Sequence, residues 1–164
     1  MPIIRLHTHI KAPAKVVFNL SRSVDLHTLS TIQTKEKVVA GRTTGLMEYG
    51  ETVTWEAQHF GFTQKLSSKI TIFNSYENFT DEMIEGIFKR FRHEHVFKYD
   101  SQSSTTIMID IFDYESPLGW LGKLADILFL ERYMTKFLKE RNRVIKEFAE
   151  NSEKYNNIPS ILNT

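Results

Sequence analysis

The chain has 164 residues, the length of one ordinary domain, with room for a single core. Hydrophobic residues make up 41% and charged residues 25%, a globular mix that argues against global disorder. Lys and Arg total 21 against 20 Asp and Glu, so the basic excess of a dedicated nucleic-acid binder is missing; the absence of Cys excludes disulfides, thiolate metal sites and Cys nucleophiles.

Residues 3–10 alternate, with Ile4, Leu6, Thr8 and Ile10 on one face and Arg5, His7 and His9 on the other, which predicts a strand with one buried side. Pro13 ends it, and Val16, Val17, Phe18 and Leu20 suit a short helix after the proline. A second short helix is expected over residues 23–31, with Ser23 as its N-cap and Val24, Leu26, Leu29 and Ile32 as apolar contacts. Strands follow in sequence: 36–40 up to Gly41, then 46–60, with Val53, Trp55, Ala57 and His59 on one side. Gly61 allows a turn into 63–73, where Leu66, Ser68, Ile70 and Ile72 share a face. Residues 78–87 form the next strand, in which Gly86 marks a bulge or a close backbone approach. Residues 88–99 place Phe91, His93, His95, Phe97 and Tyr99 together, and 105–114 form the last strand. From Trp120 to about Glu150 the pattern is helical, but its apolar phase changes near Leu130 to Tyr133, so a bend or a change of packing partner is expected there. The polar end, 151–164, reads as a flexible tail after a single domain over 1–150.

This order predicts an α+β fold: a curved antiparallel sheet of about seven strands wrapped around the long C-terminal helix, with two short helices after the first strand. The helix is narrower than the concave side of a twisted sheet, so the gap between them is filled by large side chains or left hollow. No basic stretch followed by an apolar run opens the chain, and 127–130 is far too short to span a bilayer. A cytoplasmic protein without an integral membrane segment is expected.

Residues 10–18, I-x-A-P-A-x-x-V-F, resemble the opening of the SRPBCC superfamily, the helix-grip fold of START lipid-transfer domains, the major birch pollen allergen and polyketide cyclases. Four further pieces resemble its bacterial ligand-binding group: W-x-A-x-H-F-G at 55–61, F-x-D-x-M-x-x-G-x-F at 79–88, F-x-H-x-H-x-F at 91–97, and D-x-F-x-Y-x-S-P-L-G-x-L-G at 110–122. The resemblance covers roughly residues 3–150 and implies the helix-grip architecture; it implies no particular reaction, because the superfamily includes carriers, cyclases and chaperone regulators.

If the His93/His95 face is the concave one, two imidazoles point into an apolar cavity, where burial disfavours their charged forms. His59, on the Trp55 face, is a candidate to join them. Asp110, between Met108 and Phe112, calls for a buried cation, and Arg141 on the apolar face of the last helix is the obvious one; alternatively Arg141 meets a carboxylate on the ligand. Both faces of that strand are apolar, so either can be inward; if Ile107, Ile109 and Ile111 face outward, they are a candidate homodimer surface. A three-ligand metal site of His93 and His95 with His59 or Asp81 is conceivable, but the resemblance implies no metal, and no metal or cofactor is expected. The expected cavity residues are Trp55, His59, Phe91, His93, His95, Phe97, Asp110, Phe112, Phe137 and Arg141. The leading expectation is non-catalytic binding of a small, mainly hydrophobic lipid, polyketide or aromatic molecule. The alternatives are a cyclase- or dehydratase-like enzyme using His93, His95 or Asp110 as acid/base, and a protein-interaction or chaperone-regulating module with a packed interior.

Overall fold

The structure is a computed structural model and describes residues 2–59, 61–117, 129–159 and 161. Strand β1 (Ile3–Ile10) leads through helices α1 (Ala14–Ser21) and α2 (Val24–Ser30) and one 3-10 turn (Ile32–Thr34) to β2 (Lys37–Gly41). Then come β3 (Thr52–His59), β4 (Phe62–Asn74), β5 (Asn78–Glu85), β6 (Arg90–Asp100) and β7 (Thr105–Glu115), followed by the long helix α3 (Glu131–Ala149) and the short α4 (Ser152–Asn156). The seven strands form one open antiparallel sheet in the order β1-β7-β6-β5-β4-β3-β2. Sequential hairpins build β2 to β7, and β1 closes the far edge against β7, so α1 and α2 carry the chain from one edge to the other.

Local chemistry explains the boundaries. The Ser23 side chain accepts the Leu26 N–H at 3.1 Å, capping α2 as expected. Gly41 does not lie beyond β2 but is its last residue, at φ +78°, and a bulge sits between Val38 and Ala40. A Cβ on Gly41 would lie 2.2 Å from the Thr52 carbonyl oxygen, so only glycine fits. Gly86 is a close approach: its Cβ would meet the Leu66 side chain at 2.4 Å.

The structure corrects several expectations. Residues 46–51 are not strand; Leu46 and Met47 are buried by backbone pairing with Ser23 and Arg22. Leu29 and Ile32 are exposed, because only one side of the short α2 meets the core. A bulge between Ile70 and Ile72 reverses the alternation of β4, turning Ile72 outward and Phe73 toward the core. Tyr99, at the end of β6, is exposed. The expected helix from residue 120 falls partly on 118–128, outside the described residues; the phase change at 130–133 coincides with the start of α3. Residues 152–156 are helical, and Ile158 and Ile161 are buried in the core, so the expectation of a flexible tail does not describe them. Their apolar side chains account for this: each buries surface that solvent would otherwise meet.

The inner face holds two apolar clusters. One gathers Phe18, Phe79, Phe97, Met108, Ile145 and Ile158; the other gathers Phe88, Phe91, Phe112, Tyr114 and Leu138. Helix α3 packs on β1, α1 and α2. Among the described residues no helix is long and apolar enough to cross a membrane.

Gly41→Ala is expected to lower unfolding stability by more than about 2 kcal/mol in urea titration, combining a disfavoured φ with a backbone clash. Gly61, also at positive φ, has open space around its Cβ position, and Gly61→Ala is expected to cost only about 1 kcal/mol.

Candidate functional site

The register of three strands assembles a polar layer between the two apolar clusters. On β6 the inward column reads Phe91, His93, His95, Phe97; on β7 it reads Met108, Asp110, Phe112, Tyr114. His95 stands opposite Asp110 on one side, and His93 stands opposite Asp81 of β5 on the other. Directly opposed residues bring their side chains within reach, and the diagonals complete the set. His93 Nε2 lies 3.1 Å from Asp110 Oδ1, and His95 Nε2 lies 3.3 Å from Asp81 Oδ1. His95 Nδ1 is 2.8 Å from the same Asp110 oxygen, off the line a hydrogen bond needs. Helix α3 adds Asn142, whose Nδ2 donates to Asp110 Oδ2 at 2.6 Å and to Thr8 Oγ1 at 3.2 Å.

Arg141 was the expected partner of Asp110. Its Nη1 is 3.9 Å from the carboxylate, while Nη2 donates to the Ser21 carbonyl at 2.7 Å. The closer partners of Asp110 are the two histidines and Asn142, because the strand register places the imidazoles beside it. The Asp110 face points inward and the Ile107, Ile109, Ile111 face points out.

The charges follow from the geometry. Burial works against ionising Asp110, yet its hydrogen bond to His93 and the close approach of His95 hold its carboxyl well below the usual carboxylate range. Asp81 is lowered against the same burial by His95 and its neighbours. Burial and the adjacent His95 charge push His93 down to about 4, so it is neutral at pH 7. Burial opposes the charge on His95 too, but the carboxylates on both sides outweigh it and raise its pKa. Of the two imidazoles, His95 is the one whose surroundings favour a proton.

A cavity of about 140 Å³ opens beside this layer, between the sheet, α2 and α3. Trp55, Phe91, Phe112 and Phe137 are among its apolar walls, and His93, His95, Asp81 and Arg141 form a polar patch on it. Seven of the ten residues expected at the cavity therefore line it. Three do not. Asp110 is fully buried behind the histidines. Phe97 packs edge-on against Phe18 in the core. His59 lies apart from His93 and His95: its Nδ1 is 2.6 Å from the Tyr133 hydroxyl, and its Nε2 is 3.9 Å from Glu36. It belongs to a second polar group, in which the Glu36 carboxylate, held low against burial by His27, sits 2.7 Å from His27 Nε2. His27 in turn stacks on Trp55, ring centres 4.1 Å apart. Sequence reasoning had no periodicity to reveal Glu36 or His27, which come from a loop and a short helix; Asp81 was weighed only as a metal ligand. Asp81, His93 and His95 present donor atoms within 4.8 Å of one another, a spacing a divalent ion can bridge, though these side chains already pair among themselves and with Asp110.

No family model and no curated sequence matches the chain. Among solved structures, a protein of Thermus thermophilus superposes with a TM-score of 0.72 at 18% identity, covering 89% of this chain and 95% of that one. The fold is the helix-grip fold. A major latex-like protein of Panax ginseng shares it, with a TM-score of 0.65 at 16% identity over 92% of this chain and 98% of that one. So does a protein of Chromobacterium violaceum, with 0.64 at 14% identity over 91% and 97%. Sharing the helix-grip fold at these identities leaves function to be argued from the site.

The polar layer makes stability sensitive to both sequence and pH. Asp110→Asn leaves His95 a buried cation with one carboxylate fewer and is expected to cost about 3–5 kcal/mol of stability in chemical denaturation. The pH dependence is two-sided. The raised pKa of His95 contributes stability that is complete below 6.5 and is lost as pH rises through its folded value. The lowered pKa of His93 contributes stability that is complete above 6.5 and is lost as pH falls toward about 4. Urea midpoints should therefore peak near neutrality, and NMR titration should show His93 deprotonating well before His95.

Proposed function

We propose that this chain binds a small, mainly hydrophobic molecule in the cavity between the sheet and α3, without chemical turnover. The observation that carries this reading is a hollow of about 140 Å³ with mainly apolar walls and polar groups at its two ends, Asp81, His93, His95 and Arg141 at one and Arg22, His27 and Glu36 at the other. An apolar void of about 150 Å³ accepts a benzene ring, so a ligand of about one ring fits the cavity as it stands. A longer lipid or a polyketide requires the walls to move. Resemblance to a superfamily that includes lipid-transfer domains agrees with this reading. The reading without turnover is supported by His95, both of whose ring nitrogens face carboxylates, which ties up its proton-transfer capacity.

One observation favours a second reading. The neutral His93 lines the cavity and is oriented by Asp110, the arrangement of a general base held by a carboxylate. On that reading the chain is a cyclase- or dehydratase-like enzyme, and His93→Ala abolishes turnover of a β-keto substrate while leaving the fold intact. The interaction-module alternative calls for a packed interior, which the cavity does not support.

Thermal denaturation with a panel of small aromatics and lipids tests the binding reading. At 100-fold excess over Kd a ligand contributes about 2.7 kcal/mol, or roughly 5–10 °C in Tm for a chain of this size. Val53→Phe, which fills the cavity, is expected to abolish the shift. Failure of every compound to raise Tm overturns the reading.

A further inference from the structure

Arg141, a residue of the cavity wall, keeps one buried donor that the fold leaves without a hydrogen-bond acceptor. Arg141 is more than nine-tenths buried and lines the cavity. Its Nη2 is occupied by the Ser21 carbonyl, but its Nη1 has no hydrogen-bond partner, and Asp110 at 3.9 Å is beyond hydrogen-bond reach. A buried guanidinium N–H without an acceptor is costly, and an oxygen atom on a bound molecule would relieve it.

The surrounding charges decide what kind of oxygen. His95 sets a ring nitrogen close to each of two carboxylates, Asp81 at 3.3 Å and Asp110 at 2.8 Å, and a proton on each nitrogen avoids turning a lone pair on an anion. His93 presents Nε2 to Asp110 alone and needs no charge. Two anions, Asp81 and Asp110, are thus matched by two cations, His95 and Arg141. At the other end of the cavity Glu36 adds a carboxylate set against His27, and the Arg22 guanidinium is held by Asn19, the Met47 carbonyl and the Glu48 carboxylate. An entering acid would add an uncompensated negative charge in a low-dielectric space that already holds Asp81 and Glu36. An entering ammonium would meet Arg141. A carbonyl oxygen accepts the free N–H and adds no net charge.

Resting on the binding reading above, we propose that the cavity selects a neutral carbonyl compound of about one ring in size, with its oxygen on Arg141 Nη1, and rejects the corresponding carboxylic acid in its ionised form.

Three probes of matched size test this on the full chain at pH 7 by calorimetry: acetophenone, ethylbenzene and benzoate. The expected order is acetophenone at least about tenfold tighter than ethylbenzene, the increment of one hydrogen bond from a charged donor, with benzoate at least about tenfold weaker than acetophenone. Arg141→Met, which keeps the side-chain length, should bring acetophenone down to the affinity of ethylbenzene. Because that variant unbalances the polar layer and can fail to fold, the infrared carbonyl stretch of acetophenone bound to the unaltered protein is the second readout. It should shift to lower frequency than in an apolar solvent. Equal binding of acetophenone and ethylbenzene, benzoate as tight as acetophenone, or an unshifted carbonyl band overturns the inference while leaving the binding reading intact. Failure of all three to bind, ethylbenzene included, removes the one-ring cavity reading itself and the inference with it.

Discussion

The interior is organised by the need to accommodate one charge. Asp110 is fully buried, and a carboxylate in that position is tolerated only if other groups replace the water it has lost. Two imidazoles from β6 and an amide from α3 do so. The Asn142 contact also reaches Thr8 on β1, so the same carboxylate ties the long helix to the sheet at a defined point. Specificity of this kind, in which a polar set accepts only one alignment of two elements, is what a buried network supplies beyond raw stability.

The network also accounts for the hollow. A polar layer crossing the interior separates two clusters of aromatic and aliphatic side chains. Side chains locked to carboxylates cannot swing over to fill the space beside them, and the phenylalanines above and below pack with their own clusters. Phe97, for example, is held by Phe18 and Phe79. The space left over has mostly apolar walls with a few polar groups, the combination that suits an amphipathic guest.

Much of the fold was legible in the sequence because it is encoded by strict period-two alternation. The inward set of β1 and the grouping of Phe91, His93, His95 and Phe97 on one face of β6 follow residue by residue, but β7 is apolar on both faces, with Ile107, Ile109 and Ile111 against Met108, Asp110 and Phe112, so its inward side is decided only by the sheet. Where alternation breaks, the reading broke with it. The bulge at Ile70/Ile72 exchanged the roles of Ile72 and Phe73, and nothing in the residue types announces a bulge there. Asn142 sits one position from Arg141 on the helix, and a charge drew attention that the amide did not. His59 shares a strand face with Trp55, but it lies at the strand end, and β4 and β5 stand between its strand and β6, so a shared face was not enough to bring it to the other histidines. Glu36 and His27 belong to a loop and a seven-residue helix, where burial depends on tertiary neighbours and not on any local period.

The residues after Glu150 change how the long helix is held. Near its C-terminal end Ile145 is buried, Lys146 donates to the His9 carbonyl, Glu150 accepts the Lys11 N–H, and Ile158 and Ile161 return into the core. Toward its N-terminal end Met134, Phe137 and Leu138 pack on the cluster of Phe88, Phe91, Phe112 and Tyr114, and His59 meets the Tyr133 hydroxyl and the edge of Phe137. The helix is thus held at both ends.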